Sequence, residues 1–587
     1  MKSYRVRPRE HDDLLYDLLH ARGVAGKEAQ ERFLTPDFER DSHDPMLLPD
    51  MEVAVERIVA AQKLGEVVCV WSDYDCDGIP GGVMLAGFLR GIGLNVIHYI
   101  PHRHEEGYGL NARGIDELAE KKVTLMITVD LGTTEHEHIA YAKEKGIDTI
   151  VTDHHLVSAP HAGSEPIAFA KDSRSGEINT SPTPPQESFA MKLPPALAVI
   201  NPKRPDSKYP FDGLCGAGVA WKLVQGILAT NRFNLAPGRE KWLLDLVGIA
   251  TLSDMVPLVG ENRMLAHFGL RVMRRTRRPG LASLLSLLRI KPEHLTEDDI
   301  GFMVAPRINA ASRMDKPDLA ARLLATESSE EASALARALQ ALNDERKGVV
   351  AATVKEVNHR LKGSELLDAS VLVMGNPKWR PGILGLVANT LVEAHGKPVF
   401  LWGREGGETI RGSARLPDGS SASVVEIMQG ARGLFNEFGG HHASGGFSIE
   451  PERVHELGAG LARSYETIAA RGPHVQDELV DRELALAEVP FALRDLTRLA
   501  PFGEGFAKPL FLFPRVQVQR IKSFGKAQDH LEAMLHDGFE AEVAGMSFFS
   551  TPESFSKPLV AGSSADIVGH VERDWRGRAR IRIVDVV

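Results

Sequence analysis

Three short stretches of this sequence gather the side chains that metal chemistry uses. They are Asp73-Tyr74-Asp75-Cys76-Asp77-Gly78, Asp130-Leu131-Gly132 and Asp153-His154-His155. A fourth acid, Asp254, stands in TLSDMVPL (251–258) after a helical pattern. Taken singly, an acid at the end of an apolar run is a turn former or a helix N-cap, and Asp254 alone reads as a cap. Taken together, the first three put more negative charge in one place than a folded chain tolerates unless something neutralises it. A pair of divalent cations would do so. Carboxylates with one or two imidazoles suit Mn2+ or Mg2+ better than a soft-ligand metal.

The surrounding pattern explains how such residues would meet. EVVCVWSD (66–73), NVIHYIP (95–101), VTLMITVD (123–130) and IDTIVTD (147–153) are apolar, β-branched runs that read as strands. Helical segments at 81–91 and 133–146, each closed by glycine, lie between them. Alternation of this kind predicts a parallel sheet covered on both faces. In open α/β sheets ligands bind beyond the carboxyl ends of the strands, so three acidic strand ends converge on one cleft. Residues 158–195 hold seven prolines among Ser, Thr, Gly and Glu and predict a flexible surface insertion. Helical patterns fill 218–278, and again 318–361, long enough for a spacer. A second α/β unit begins near 369. After 473 the strands become short, as in a small β-barrel.

At 587 residues the chain exceeds one hydrophobic core, so several domains are expected. It is 43% hydrophobic and 25% charged, which excludes a disordered or fibrous chain. No window approaches ~20 uncharged apolar residues, so no membrane span is expected. The N-terminus lacks the features of a secretory signal, and three cysteines make no disulfide framework or zinc site. A cytoplasmic protein is the expectation. The net charge of −10 argues against a basic nucleic-acid coat protein but leaves room for one basic groove. There is no G-x-S-x-G elbow and no G-x-x-x-x-G-K-[ST] loop, which disfavours a serine hydrolase or an NTPase.

DYDCDG, VDLG, VTDHH and TLSDMVPL, in that order, resemble the four metal-binding motifs of the DHH phosphoesterase superfamily. EEGYGLN (105–111), APRINAASRMD (305–315), LNDERK (342–347), GILGLVANTL, RGSAR (411–415), FGGHHASGG (438–446) and LAPFGEGFAKPLF (499–511) narrow the resemblance to RecJ-type single-strand-specific 5′→3′ DNA exonucleases. It covers nearly the whole chain from about residue 40. The sequence departs from the family pattern at Cys76, Leu131 and Ser312, without losing an expected ligand.

The resemblance implies an α/β multidomain protein. Its parts would be an N-terminal segment (1–45), a DHH catalytic domain (46–317), a connecting helix (318–365), a DHH-associated domain (366–472) and an OB-like nucleic-acid-binding barrel (473–587). It implies Asp73, Asp75, Asp130, His154 and Asp254 as ligands of two metals, Asp130 bridging and Asp77 supporting. His155 would contact phosphate. Arg307, Asn309 and Arg313 lie close in sequence and would fork onto phosphates. Arg415 and His441 would reach the phosphate from the second domain, and Arg103 and Tyr108 are candidates for nucleotide contact or a structural loop. RVMRRTRRPG (271–280) is a strand-binding ridge or a solvated face. Of Phe502, Phe506, Phe511, Phe513 and Phe524, most belong to the core and one or two would stack bases.

The implied reaction is phosphodiester hydrolysis. It would degrade single-stranded DNA from the 5′ end to mononucleotides in recombination and repair, by a monomer assisted by a helicase and a single-strand-binding protein. Two alternatives remain. One is a DHH phosphoesterase acting on short oligonucleotides or cyclic dinucleotides, disfavoured by residues 473–587. The other is an inactive DNA-binding scaffold, disfavoured because every expected ligand is present.

Overall fold

The computed structural model describes residues 3–103, 106–157, 193–404, 409–417, 419–469, 478–525, 528–574 and 576–587. The expected insertion at 158–195 falls almost wholly outside them. The chain divides into two compact units. One comprises Phe38–Ser312 and Lys316–Ala336; the other comprises Met1–Asp37, Arg313–Asp315 and Arg337–Val587.

The first unit is built on a five-stranded sheet. Its elements run β1 (Val67–Ser72), α1 (Gly78–Gly91), β2 (Asn95–Tyr99), α2 (Ala112–Glu120), β3 (Val123–Val129), α3 (His136–Glu144), β4 (Asp148–Thr152) and β5 (Ala198–Ile200). The order is β2-β1-β3-β4-β5 and every pairing is parallel. The apolar runs are continuous because both faces are covered: Leu125, Met126, Ile127 and Val129 of β3 are all fully buried. The expected strands are present. Two elements were not anticipated: α2, whose start is capped by Asn111 accepting from the Gly114 N–H, and β5, only three residues long.

Helices complete this unit: α4 (Gly216–Thr230), α5 (Leu244–Ser253), α6 (Gly260–Met273) and α7 (Ala305–Arg313), the last preceded by a π-helical turn at Asp299–Val304. The helical tract expected over 318–361 is broken at 326–328: a helix at Pro317–Ala325 is followed by α8 (Ser329–Leu361), 33 residues long.

The second unit holds an α/β domain with β6 (Leu372–Asn376), α9 (Pro381–His395), β7 (Val399–Gly403), β8 (Ile410–Arg415), α10 (Val424–Gly430), β9 (Glu437–Gly440), β10 (Ser444–Ile449) and α11 (Val454–Ala469). Its sheet runs β9-β10-β8-β7-β6, and only β6 and β7 are parallel.

Next come α12 (Val489–Leu499) and the strands β11 (Phe511–Phe524), β12 (His530–His536), β13 (Glu542–Phe548), β14 (Ser564–Arg573) and β15 (Ala579–Val586). They pair in the order β11-β12-β13-β15-β14, and β14 returns to β11, closing a five-stranded barrel. The N-terminal segment divides rather than standing as one piece over 1–45. Its helix Leu14–Ala21 buries Leu15, Leu18 and Leu19 in the barrel's core, and Tyr4–Val6 pairs in parallel with Glu478–Val480. No helix among the described residues is long and apolar enough to cross a membrane.

Candidate metal centre

Sheet register brings the acids together. The Asp73 N–H donates to the Val129 carbonyl at 3.1 Å, the Asp130 N–H to Thr152 at 2.9 Å, and the Asp153 N–H to Ile200 at 3.1 Å. Each acid is thus the residue on which its strand's ladder ends, and the three stand side by side. Asp130 takes a left-handed φ of +66°, a conformation aspartate tolerates better than most residues. The N-terminus of α4 closes in from the other side. A Cβ on Gly216 would lie 2.5 Å from the Asp130 Cβ, so only glycine permits this approach.

The side chains form three overlapping groups of potential ligands: Asp73, Asp75 and Asp130; Asp77, His154 and Asp254; Asp130, His154 and His155. Asp130 and His154 each belong to two. His154 Nε2 lies 3.1 Å from Asp130 Oδ1, 3.7 Å from Asp254 Oδ2 and 3.8 Å from Asp77 Oδ2. Asp254 sits at the C-terminal end of α5, so it is both a helix-end residue and a member of the cluster. Asp77 supports the start of α4: its two oxygens accept the N–H groups of Gly216 at 2.6 Å and Ala217 at 2.8 Å.

Electrostatics mark the site as one that lacks positive charge. Burial, then Asp75, pushes Asp73 well above the usual carboxylate range. Burial and the neighbouring Asp77, Asp75 and Asp254 do the same to Asp130. By burial and then by neighbouring acids, Asp77 is raised to about 6 and Asp254 to about 9. Burial and the adjacent His155 lower His154 to about 3, leaving it a neutral imidazole with a lone pair to offer. Asp73 Oδ1 and Asp130 Oδ1 are buried and accept no hydrogen bond. Buried acceptors normally find a donor. Orphaned carboxylate oxygens beside a neutral imidazole are what a hard divalent cation satisfies, and the donor set fits Mn2+ or Mg2+.

Asp153 behaves differently. Its Oδ1 accepts from the N–H of His154 at 2.7 Å, the N–H of His155 at 3.1 Å and His155 Nδ1 at 2.7 Å, and its Oδ2 accepts from the Thr133 N–H at 2.9 Å. Burial works to raise its pKa, but these bonds outweigh it and hold Asp153 below the usual range. Burial likewise works to lower His155, and Asp153 overcomes it, so His155 titrates above an ordinary histidine. Asp153 stands inside one of the recognised motifs, but sequence reasoning gives it no role of its own. The expected helix at 133–146 starts only at His136, because the Gly132-Thr133 turn delivers that N–H to Asp153.

At the rim, the Tyr108 hydroxyl donates to the Asp130 carbonyl at 3.4 Å, and its ring stands edge-on to His155 and Tyr74. Arg103 lies over the Tyr74 ring at 4.6 Å. Arg307 is buried on α7 and donates to the Met303 carbonyl in the π-helical turn; Asn309, on the same helix, is half-buried. Arg313 is the last residue of α7 but groups with the second unit, where it donates to the Gly382 carbonyl at the start of α9. Arg415, half-buried, ends β8 with its guanidinium packed against Gly385, where a Cβ would lie 2.6 Å from it. His441 is exposed beyond β9, its N–H on the Ser444 carbonyl.

The arginine run is not a clear ridge. Arg274 donates to the Leu295 carbonyl, Arg278 pairs with Asp245, and Arg277 lies over Trp242. In the barrel Phe502, Phe506, Phe511 and Phe513 are core, as expected. Phe524 is half-buried, and the exposed rings are others: Phe539 at 85%, Phe549 at 83% and Phe548 at 43%. Phe524, Phe548 and Phe549 surround His530 with centroids 5.3, 5.6 and 4.9 Å away.

Comparison with known proteins agrees with this arrangement. The DHH family N-terminal domain matches residues 67–180, the DHHA1 domain 368–463 and the RecJ OB domain 480–584, which together define a DHH-type protein with an appended barrel. The chain is 30% identical over 575 residues to a single-stranded-DNA-specific exonuclease RecJ of Bacillus subtilis, covering 97% of this chain and 67% of that one. It is 31% identical over 542 residues to the protein of that description from Salmonella typhimurium, covering 87% of each. A crystal structure of RecJ in complex with Mn2+ from Thermus thermophilus matches with a TM-score of 0.74 at 26% identity, covering 100% of this chain and 79% of that one. The chain belongs to the RecJ family.

Proposed function

We propose that this chain is a metal-dependent exonuclease that hydrolyses single-stranded DNA from the 5′ end to mononucleotides. One observation carries the reading: buried carboxylate oxygens from neighbouring strand ends, with no donor of their own, facing a neutral imidazole. Bound Mn2+ or Mg2+ would supply a water of lowered pKa and neutralise charge on the phosphate. Asp73, Asp75, Asp130, His154 and Asp254 hold the two ions in this reading, with Asp77 fixing α4 against them. Asp153 orients the His155 ring through Nδ1 and favours its protonated form, so that Nε2 donates to a phosphate oxygen. Arg307, Asn309, Arg313, Arg415 and His441 contact the strand's phosphates, and Arg103 and Tyr108 the terminal nucleotide. The exposed rings around His530 offer bases a stacking surface on the barrel. The enzyme would act as a cytoplasmic monomer in recombination and repair, alongside a helicase and a single-strand-binding protein.

The test digests end-labelled single strands and duplexes with and without Mn2+, comparing wild type with Asp130→Ala. Metal-dependent loss of the 5′ label from single strands alone supports the reading. Attack from the 3′ end overturns the polarity, and full activity in Asp130→Ala overturns the ligand set.

A further inference from the structure

One side chain ties together the two loops that complete the metal centre. Residues 213–215 lead into α4, whose first two N–H groups bind Asp77 and whose Gly216 abuts Asp130. Residues 255–259 leave Asp254 at the end of α5 and enter α6. Asn262, fully buried in the first turn of α6, donates through Nδ2 to the Gly213 carbonyl at 2.6 Å and to the Pro257 carbonyl at 3.0 Å. Its Oδ1 accepts nothing, so the amide is held by its donors alone. Two carbonyls facing one atom require two hydrogens on it, which a primary amide carries and a carboxylate does not. The loop after Asp254 needs such a tie. Met255 takes a left-handed φ of +58° and its side chain is exposed, a conformation that persists only when its surroundings impose it. The anchor is firm. Glu261, beside Asn262, pairs with Lys222 of α4 at 2.5 Å, neither side chain being exposed, and accepts from the Tyr209 hydroxyl. Separating that pair would strand a buried charge, so the start of α6 has one place to sit against α4.

We infer that Asn262 is a positioning residue of the metal centre: its two hydrogen bonds set the distance between Asp254 on one loop and the start of α4, with Asp77, on the other. It acts through the backbone of both loops, so its effect falls on cation affinity rather than on grip of the strand. The inference rests on the metal-centre reading above. Partners that orient metal ligands from behind are typically worth about 10–100-fold in affinity.

The test titrates the full chain with Mn2+ and reads the free ion by its paramagnetic resonance signal. Asn262→Asp keeps the shape of the side chain and loses both donors. Asn262→Leu, of similar volume and without charge, serves should the first variant fold poorly. Each is expected to raise the Kd for Mn2+ about 10–100-fold with the number of ions bound per chain unchanged. At saturating Mn2+ the turnover of an oligothymidylate then recovers, and its KM stays at the wild-type value. Wild-type Mn2+ affinity in the variants overturns the inference. So does a fall in the number of ions bound, or a raised KM that Mn2+ does not restore, since either marks a general loosening of the fold. Absence of Mn2+ binding by wild type overturns the metal-centre reading itself, and this inference with it.

Discussion

Asp153 and Asp130 end neighbouring strands, yet their carboxylates do different work. Asp153 accepts four hydrogen bonds from the chain itself, while Asp130 keeps an oxygen that accepts none. Asp130→Ala is expected to lower exonuclease turnover at least about a thousandfold. Asp153→Asn is expected to cost about 10–100-fold in kcat and to move the basic limb of the pH–rate profile to lower pH, because the Asp153 carboxylate is what raises His155 above an ordinary histidine; an unchanged profile would reduce it to a structural group. The raised acids predict a linkage. Between the ordinary value of 3.8 and about 9, folded metal-free protein holds protons on Asp254 that the unfolded chain has released. Metal-free stability from this group therefore falls as pH rises through that window. Cation binding displaces those protons, so Mn2+ affinity is expected to rise with pH, with proton release. Calorimetry in buffers of different ionisation enthalpy measures it; binding without proton release would contradict the raised values.

Helix α4 and strands β1, β3 and β4 form the frame on which those side chains are set. Because Gly216 meets Asp130 without room for a methyl group, Gly216→Ala is expected to displace α4 and weaken Mn2+ binding and activity about 10–100-fold while circular dichroism stays near wild type. Retained affinity would show that the helix can retreat at no cost. This frame was legible in the sequence because each strand is an apolar run that stops at an acid, and parallel order follows from the intervening helices. Strand β5 was not legible: three apolar residues after a proline-rich stretch carry no periodic signal. Nor was the role of Asp153, since the donors that reach a carboxylate depend on the path of the turn after it. The barrel's phenylalanines divide by register. Phe511 and Phe513 face inward on alternate positions of β11, whereas Phe548 ends β13, Phe549 follows it, and both escape the core. Composition does not distinguish them.

At the scale of the molecule, the chain's beginning and end share one core. Leu15, Leu18 and Leu19 pack with barrel residues such as Phe511 and Ile581, and Arg22 forks onto Asp481 at 2.9 and 3.0 Å. Leu18→Ala is expected to destabilise that unit by about 2–5 kcal/mol, seen as a lower denaturant midpoint for the barrel's transition. Mn2+ affinity, which belongs to the other unit, should not change. A matched loss of Mn2+ affinity would mean the two units unfold as one.

That shared core sets a timetable for biosynthesis. The first helix leaves the ribosome with its leucines exposed and cannot cover them until the barrel strands have been made. At elongation speeds of about 5–20 residues per second the wait lasts roughly half a minute or more. During it those leucines stay in water, and a chain that stopped before the barrel strands would never bury them.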